Sequence, residues 1–161
     1  LCGIFLGESI NGEADFMNRA IVLKTKDNSW FEPERTYYLN PKNHFIEPMH
    51  GCTVSVSLQD NKVSKIQCVR IYTSRNMEKI KSDYSNIISI ITSTFNYISR
   101  NTENQGLFWS DKWKLEDERE LVLSFNGFNA KDEGTITVTL LDTGRMKRNR
   151  ENAKKKGISE F

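Results

Sequence analysis

The stretch from Met77 to Ile98, MEKIKSDYSNIISIITSTFNYI, decides the first reading of the fold. Its apolar members Met77, Ile80, Tyr84, Ile87, Ile88, Ile91, Phe95 and Ile98 recur at spacings of 3, 4, 3, 1, 3, 4 and 3, which traces one stripe along a helix. The spacing predicts a long helix near 76–99, with Ser74 or Asn76 as its cap. β-branched Ile is only a moderate helix former, so packing of that stripe on a sheet has to supply most of the stability.

Immediately upstream, Cys52, Val54, Val56 and Leu58 alternate with Thr53, Ser55 and Ser57, and Asp60-Asn61-Lys62 turns the chain into Val63 to Tyr72. This is a hairpin pattern. A three-residue loop sets Val56 against Ile66 and Val54 against Cys68, keeping apolar groups on one face and leaving Cys52 diagonal to Cys68. The apolar parity changes between Cys68 and Val69, where a bulge is expected. Downstream, Leu121, Leu123 and Phe125 mark a strand over Glu120 to Asn126, and Ile136, Val138 and Leu140 alternate with threonines in a last strand.

Other signals are weaker. After Ser9, the residues Ile10, Ala14, Met17 and Ile21 fall at spacings of 4, 3 and 4, which predicts a short N-terminal helix. Short strands follow near Ile21 to Lys24 and Arg35 to Leu39, while Gln105-Gly106 reads as a polar loop before Phe108, Trp109 and Trp113. No internal repeat is visible. The fold class expected is α+β: an antiparallel sheet with one long amphipathic helix packed on a face, a short N-terminal helix, a single domain over 1–144 and a basic tail over 145–161, helical or disordered.

A hydrophobic fraction of 37%, a charged fraction of 27% and only 3 Pro in 161 residues are those of a globular chain. No apolar run approaches the roughly 18 residues of a membrane span. The net charge of +2 conceals an asymmetry: residues 145–161 carry +5 and the remainder −3. The tail is thus a candidate for phosphate contacts, and a nucleic-acid-associated or phage-encoded regulatory protein is the alternative function. The opening Leu1-Cys2-Gly3 is read as the remnant of an export signal, with Cys2 a candidate lipid-anchor position. In an exported protein Cys52 and Cys68 are the natural disulfide pair; in a cytoplasmic one all three cysteines are thiols.

Catalytic signatures are not found. His44, His50, Cys52 and Cys68 have zinc-ligand chemistry, but an H-x5-H-x-C spacing interrupted by Pro48 fits a structural site poorly, and no metal is expected. The carboxylates Asp111, Glu116, Asp117 and Glu118 cluster before a strand as a solvated turn does. No phosphate-binding or dinucleotide-binding glycine pattern occurs, so no cofactor is expected. Trp109 and Trp113, with Lys112 between them, form the candidate partner-binding anchor, since tryptophan is favoured at protein interfaces.

The opening Gly-x-x-Leu-Gly-x-Ser-Ile, Gly3 to Ile10, followed by hairpin, long helix, Trp-containing stretch, closing strands and charged end, resembles small bacterial envelope proteins, periplasmic or lipoprotein-like. Some of these are of immunity-factor type. The resemblance implies a non-enzymatic binding protein of the envelope whose partner is another protein.

Overall fold

The computed structural model describes residues 1, 3–28, 33–42, 49 and 51–155. Among them are eight strands: β1 (Ala20–Asn28), β2 (Glu34–Pro41), β3 (Gly51–Ser57), β4 (Val63–Tyr72), β5 (Tyr97–Gln105), β6 (Phe108–Leu115), β7 (Arg119–Asn126) and β8 (Gly134–Asp142). Two α-helices, α1 (Met77–Thr94) and α2 (Thr143–Lys155), follow β4 and β8, and a single 3-10 turn spans Glu13–Phe16. The strands form one sheet in the order β1-β2-β3-β4-β8-β7-β6-β5, antiparallel throughout.

That order reads the same from either edge. Strands β1–β4 and β5–β8 are each a meander of consecutive hairpins followed by a helix, and the two meet where β4 pairs with β8. The registers line up Val22, Leu39, Cys52 and Cys68 across the first meander and Val138, Leu123, Asp111 and Thr102 across the second, as one continuous row. An approximate two-fold axis through the Cys68–Val138 pair therefore exchanges Leu39 with Asp111 and Val22 with Thr102. The flanking rows exchange Tyr37 with Trp109 and Ala20 with Arg100 in the same way.

Strand alternation places Tyr37, Val54, Ile66, Leu140, Leu121 and Trp113 on one buried face of the sheet. Thr135, Thr137 and Thr139 look out from the other face and are partly exposed. Over the buried face the N-terminal segment covers the first meander: Phe16 packs on Tyr37 with ring centres 4.9 Å apart, and the Gly7 and Ile10 amides donate to the carbonyls of Val63 and Asn61. Helix α1 covers part of the second, burying Ile80, Tyr84, Ile87 and Ile91. Two buried tyrosine–carboxylate bonds fix its rotation. The Tyr72 hydroxyl in β4 donates to Asp83 Oδ2 on the helix at 2.6 Å, and the helix's own Tyr84 hydroxyl donates to Asp111 Oδ2 in β6 at 2.8 Å.

The α+β expectation, built around one long helix, is corrected. The described chain is dominated by an eight-stranded antiparallel sheet. The helix expected over 76–99 stops at Thr94, where Phe95 turns to extended backbone, and Tyr97–Gln105 is a strand. Phe95 and Ile98 continue the helical spacing by coincidence, and Ile98 is 66% exposed. The Thr92 and Ser93 hydroxyls donate back to carbonyls of the preceding turn, which weakens a helix end, and from Tyr97, opposite Leu115, the chain pairs with β6 instead, Ile98 being passed over at a bulge. The N-terminal helix is likewise reduced to the turn at Glu13–Phe16; Ile10 and Phe16 are buried, while Met17 and Ile21 are exposed. In the β3–β4 hairpin the turn closes between Ser57 and Lys62 and the bulge lies between Ser55 and Val56 rather than at Cys68, so Val54 faces Ile66 and Cys52 faces Cys68 directly. The tail begins as α2, with the Asp142 carboxylate accepting the Arg145 amide at 2.9 Å as a cap; residues 156–161 lie outside the described residues, as does Cys2. No described helix is long and apolar enough to cross a membrane.

Two outcomes test this arrangement. Ile87→Ala removes a fully buried side chain and should cost about 2–5 kcal/mol in chemical denaturation, whereas Ile98→Ala should change stability by no more than about 0.5 kcal/mol. A mild oxidant should link Cys52 to Cys68, detected by loss of thiol labelling, closing a loop of about 17 residues worth roughly 3 kcal/mol in the chain-entropy model. Persistent labelling of both thiols in the folded, oxidised protein would contradict the register.

Candidate functional site

Between α1 and the β5–β6 hairpin lies an open cavity of about 710 Å³, within the usual range for ligand-binding clefts. The helix contributes Met77, Lys81, Tyr84 and Ile88 to its wall. Strand β5 supplies Arg100, Thr102 and Asn104, the turn supplies Gly106 and Leu107, and β6 supplies Trp109 and Asp111. The two-residue turn requires Gly106, whose φ of +58° is a left-handed value that side chains disfavour.

Asp111 is the centre of the site. It is only 3% exposed, and four hydrogen bonds converge on it. Oδ1 accepts from Arg100 Nε (3.1 Å), Arg100 Nη2 (2.8 Å) and Thr102 Oγ1 (2.7 Å), and Oδ2 accepts from the Tyr84 hydroxyl (2.8 Å). Burial alone pushes this carboxyl up, but the bonds from Thr102, Arg100 and Tyr84, with the charge of Arg100, outweigh it and hold the group below its ordinary value. Burial and the bond to Asp111 push the Tyr84 phenol up, so it remains a donor. The Arg100 guanidinium lies over the Trp113 ring at 5.2 Å, which restricts it further. Trp109 packs edge-on against Tyr84 at 5.3 Å and tilted against Phe125 at 4.6 Å, while its indole N–H donates to the Gly106 carbonyl at 2.9 Å.

The three residues marked by sequence as a partner anchor do not share a surface. Trp109 lines the cavity, Trp113 is fully buried beneath Arg100, and Lys112 points from the opposite face of β6, where it pairs with Glu120 at 3.3 Å. The period of two along a strand separates 112 from its neighbours. Nor do the four clustered carboxylates act together: Asp111 lies in β6, whereas Glu116, Asp117 and Glu118 lie in the bend before β7. His44 and His50 fall outside the described residues. In α2, Arg145 is engaged by Asp60 at 2.7 Å and Arg148 by Glu118 at 3.5 Å, so part of the tail's charge is turned on the body. Sequence reasoning missed Tyr84, Arg100 and Thr102. The usable signal was Gln105-Gly106 as a turn dipeptide ahead of the alternation of Trp109, Trp113 and Leu115 with Ser110, Lys112 and Lys114, which would have admitted a hairpin placing β5 beside β6.

Comparisons with protein-family models, with curated proteins and with solved structures find no match to this chain. The resemblance to envelope proteins therefore stands on the sequence pattern alone.

The Asp111 network sets a pH dependence. Its folded value lies below that of the unfolded chain, so the stabilisation is complete above the ordinary carboxylate range, about 4, and is lost as pH falls through the lower folded value. Asp111→Asn should therefore melt below the wild type at neutral pH, with the difference closing in strong acid. A difference that stays constant down to about pH 2 would show that the charge is not its source.

Proposed function

We propose that this chain is a non-enzymatic binding protein of the bacterial envelope, whose cavity between α1 and β5–β6 receives an extended segment of another protein, in the manner of an inhibitor or immunity-type partner. The observation that carries the reading is the edge position of β5. All nine of its residues are exposed, it is the outermost strand of the sheet, and its inner face opens onto the cavity beside Trp109. An open edge offers backbone groups to an added strand, and a pocket for alternate side chains gives such pairing its specificity.

Binding is favoured over catalysis by the state of Asp111. A carboxylate saturated by four donors and held below its ordinary pKa is a poor proton acceptor, so the most conspicuous titratable group in the cavity is suited to positioning rather than acid–base work. The envelope setting is supported by the resemblance of Gly3 to Ile10 and by the direct opposition of Cys52 and Cys68, which an oxidising compartment would close.

Selection of displayed random peptides on the full chain tests the proposal. Trp109→Ala should weaken selected peptides at least about tenfold, as expected of an interface hot spot, and binding should slow hydrogen exchange of the β5 amides. Deletion of residues 145–161 should leave affinity unchanged; loss of binding on that deletion, with Trp109→Ala indifferent, would favour the nucleic-acid or tail-mediated alternative.

A further inference from the structure

The approximate two-fold relation supplies an internal control for the cavity. At the positions that mirror Arg100, Thr102 and Asp111, the first meander carries Ala20, Val22 and Leu39. Ala20 and Leu39 are buried there without polar partners to satisfy. The same strand positions are thus filled by apolar side chains in one half of the sheet, so the fold does not require an ionic cluster in the other. Replacing a buried carboxylate and the groups that satisfy it by well-packed apolar side chains is commonly neutral or stabilising, so stability alone does not call for the cluster.

The geometry of Arg100 gives that reason. Its Nε and one N–H of Nη2 are committed to Asp111, and its plane is held over Trp113. The remaining donors, on Nη1 and the other N–H of Nη2, form the end of the guanidinium fork and make no hydrogen bond among the described residues. The side chain is 34% exposed and lines the cavity. Lys81 of α1 lines the same cavity, as does Glu103 of β5, and Lys81 makes no ion pair among the described residues. A fixed guanidinium fork opening into a cavity that a second cation also lines is a carboxylate-recognising arrangement.

We propose that the segment bound at β5 carries an acidic side chain opposite Arg100 and an apolar or aromatic side chain four residues away, opposite Asn104, against Leu107 and Trp109. This deepens the binding function proposed above and rests on it. The spacing follows from the strand period: Arg100, Thr102 and Asn104 share the inner face of β5, so an added strand presents its own inner residues at the same interval. Asp111, Thr102 and Tyr84 are positioning residues that hold Arg100 for this contact.

The probe is the N-acetylated, C-amidated peptide KTETVTWTK, with a second peptide in which its glutamate is replaced by glutamine, each measured by fluorescence anisotropy on the full chain. The wild type should prefer the glutamate peptide by about tenfold, as for a charge-assisted hydrogen bond in a partly buried site, with a preference that shrinks as salt rises. The variant Arg100→Ala/Thr102→Val/Asp111→Leu, which carries the first meander's residues, should fold and bind both peptides alike. Lys81→Gln should reduce the preference without removing it, and the wild-type comparison decides the matter even if the triple variant does not fold. Equal affinity of the two peptides for the wild type, with both still dependent on Trp109, overturns the carboxylate contact while leaving the groove reading intact. Peptides selected on the chain but indifferent to Trp109 would instead overturn the groove reading itself.

Discussion

The β4–β8 pairing is the contact on which the other features depend. Each meander is assembled from hairpins between consecutive strands, which are local and cheap to close, whereas β4 and β8 are separated by α1 and three further strands. The pairing joins two four-stranded pieces into one apolar face, with Ile66 beside Leu140 and Cys68 beside Val138 at its centre. It also dictates where the chain must go next. Once β8 occupies the place beside β4, the connection after β4 has to cross the second meander to begin β5 at the far edge, and α1 is that crossing. The cavity lies where the crossing helix leaves the last strand uncovered.

Parts of this were legible in the residues. The β3–β4 hairpin, β7 and β8 show clear alternation because one face is buried and the other partly wet, the condition under which period two appears in a sequence. Strand β5 lacks that signal for a physical reason: an edge strand exposed along its whole length has no apolar side to alternate with. Its polar run therefore reads as a loop, and the helical spacing before it runs on over Tyr97 and Ile98. The hairpin register departs from the expected one because the turn closes between Ser57, whose amide donates to the Lys62 carbonyl, and Lys62, which moves the pairing by three, and the bulge at Val56 takes back one. The Asp111 network was not visible because its members, at 84, 100, 102 and 111, come from three elements and meet only when β5 pairs with β6 and α1 docks.

Apolar burial and polar contacts divide the task of seating α1. Ile80, Ile87 and Ile91 supply the driving force, but burial is non-directional and would tolerate rotation or sliding of the helix. The adjacent residues Asp83 and Tyr84 remove that freedom, one accepting from Tyr72 of β4 and the other donating to Asp111 of β6. Lys79 closes on Asp83 Oδ1 at 2.8 Å, so this carboxylate too has a cation and a hydroxyl as partners. Satisfied in this way, buried polar groups specify a unique arrangement at little net cost, and here they set the width of the cavity.

The two edges of the sheet handle exposure differently, and the difference bears on what β5 can accept. Strand β1 carries Lys24, Lys26 and Asp27, with a bulge between Val22 and Lys24, and such charges and bulges discourage pairing by any incoming strand. Strand β5 also has a bulge, between Tyr97 and Ser99, but the stretch beyond it pairs regularly with β6, and its inward charge is Arg100. An inward-pointing charge on an edge is itself a guard, because a strand that brings an apolar residue against it must bury that cation unpaired. The guard is selective rather than absolute. Asp111 already neutralises one side of the guanidinium and fixes its direction, so the desolvation that remains is confined to the open end of the fork. A strand bearing a carboxylate at that point meets a partner instead of a penalty, and the device that protects the edge from indiscriminate pairing becomes the source of its specificity.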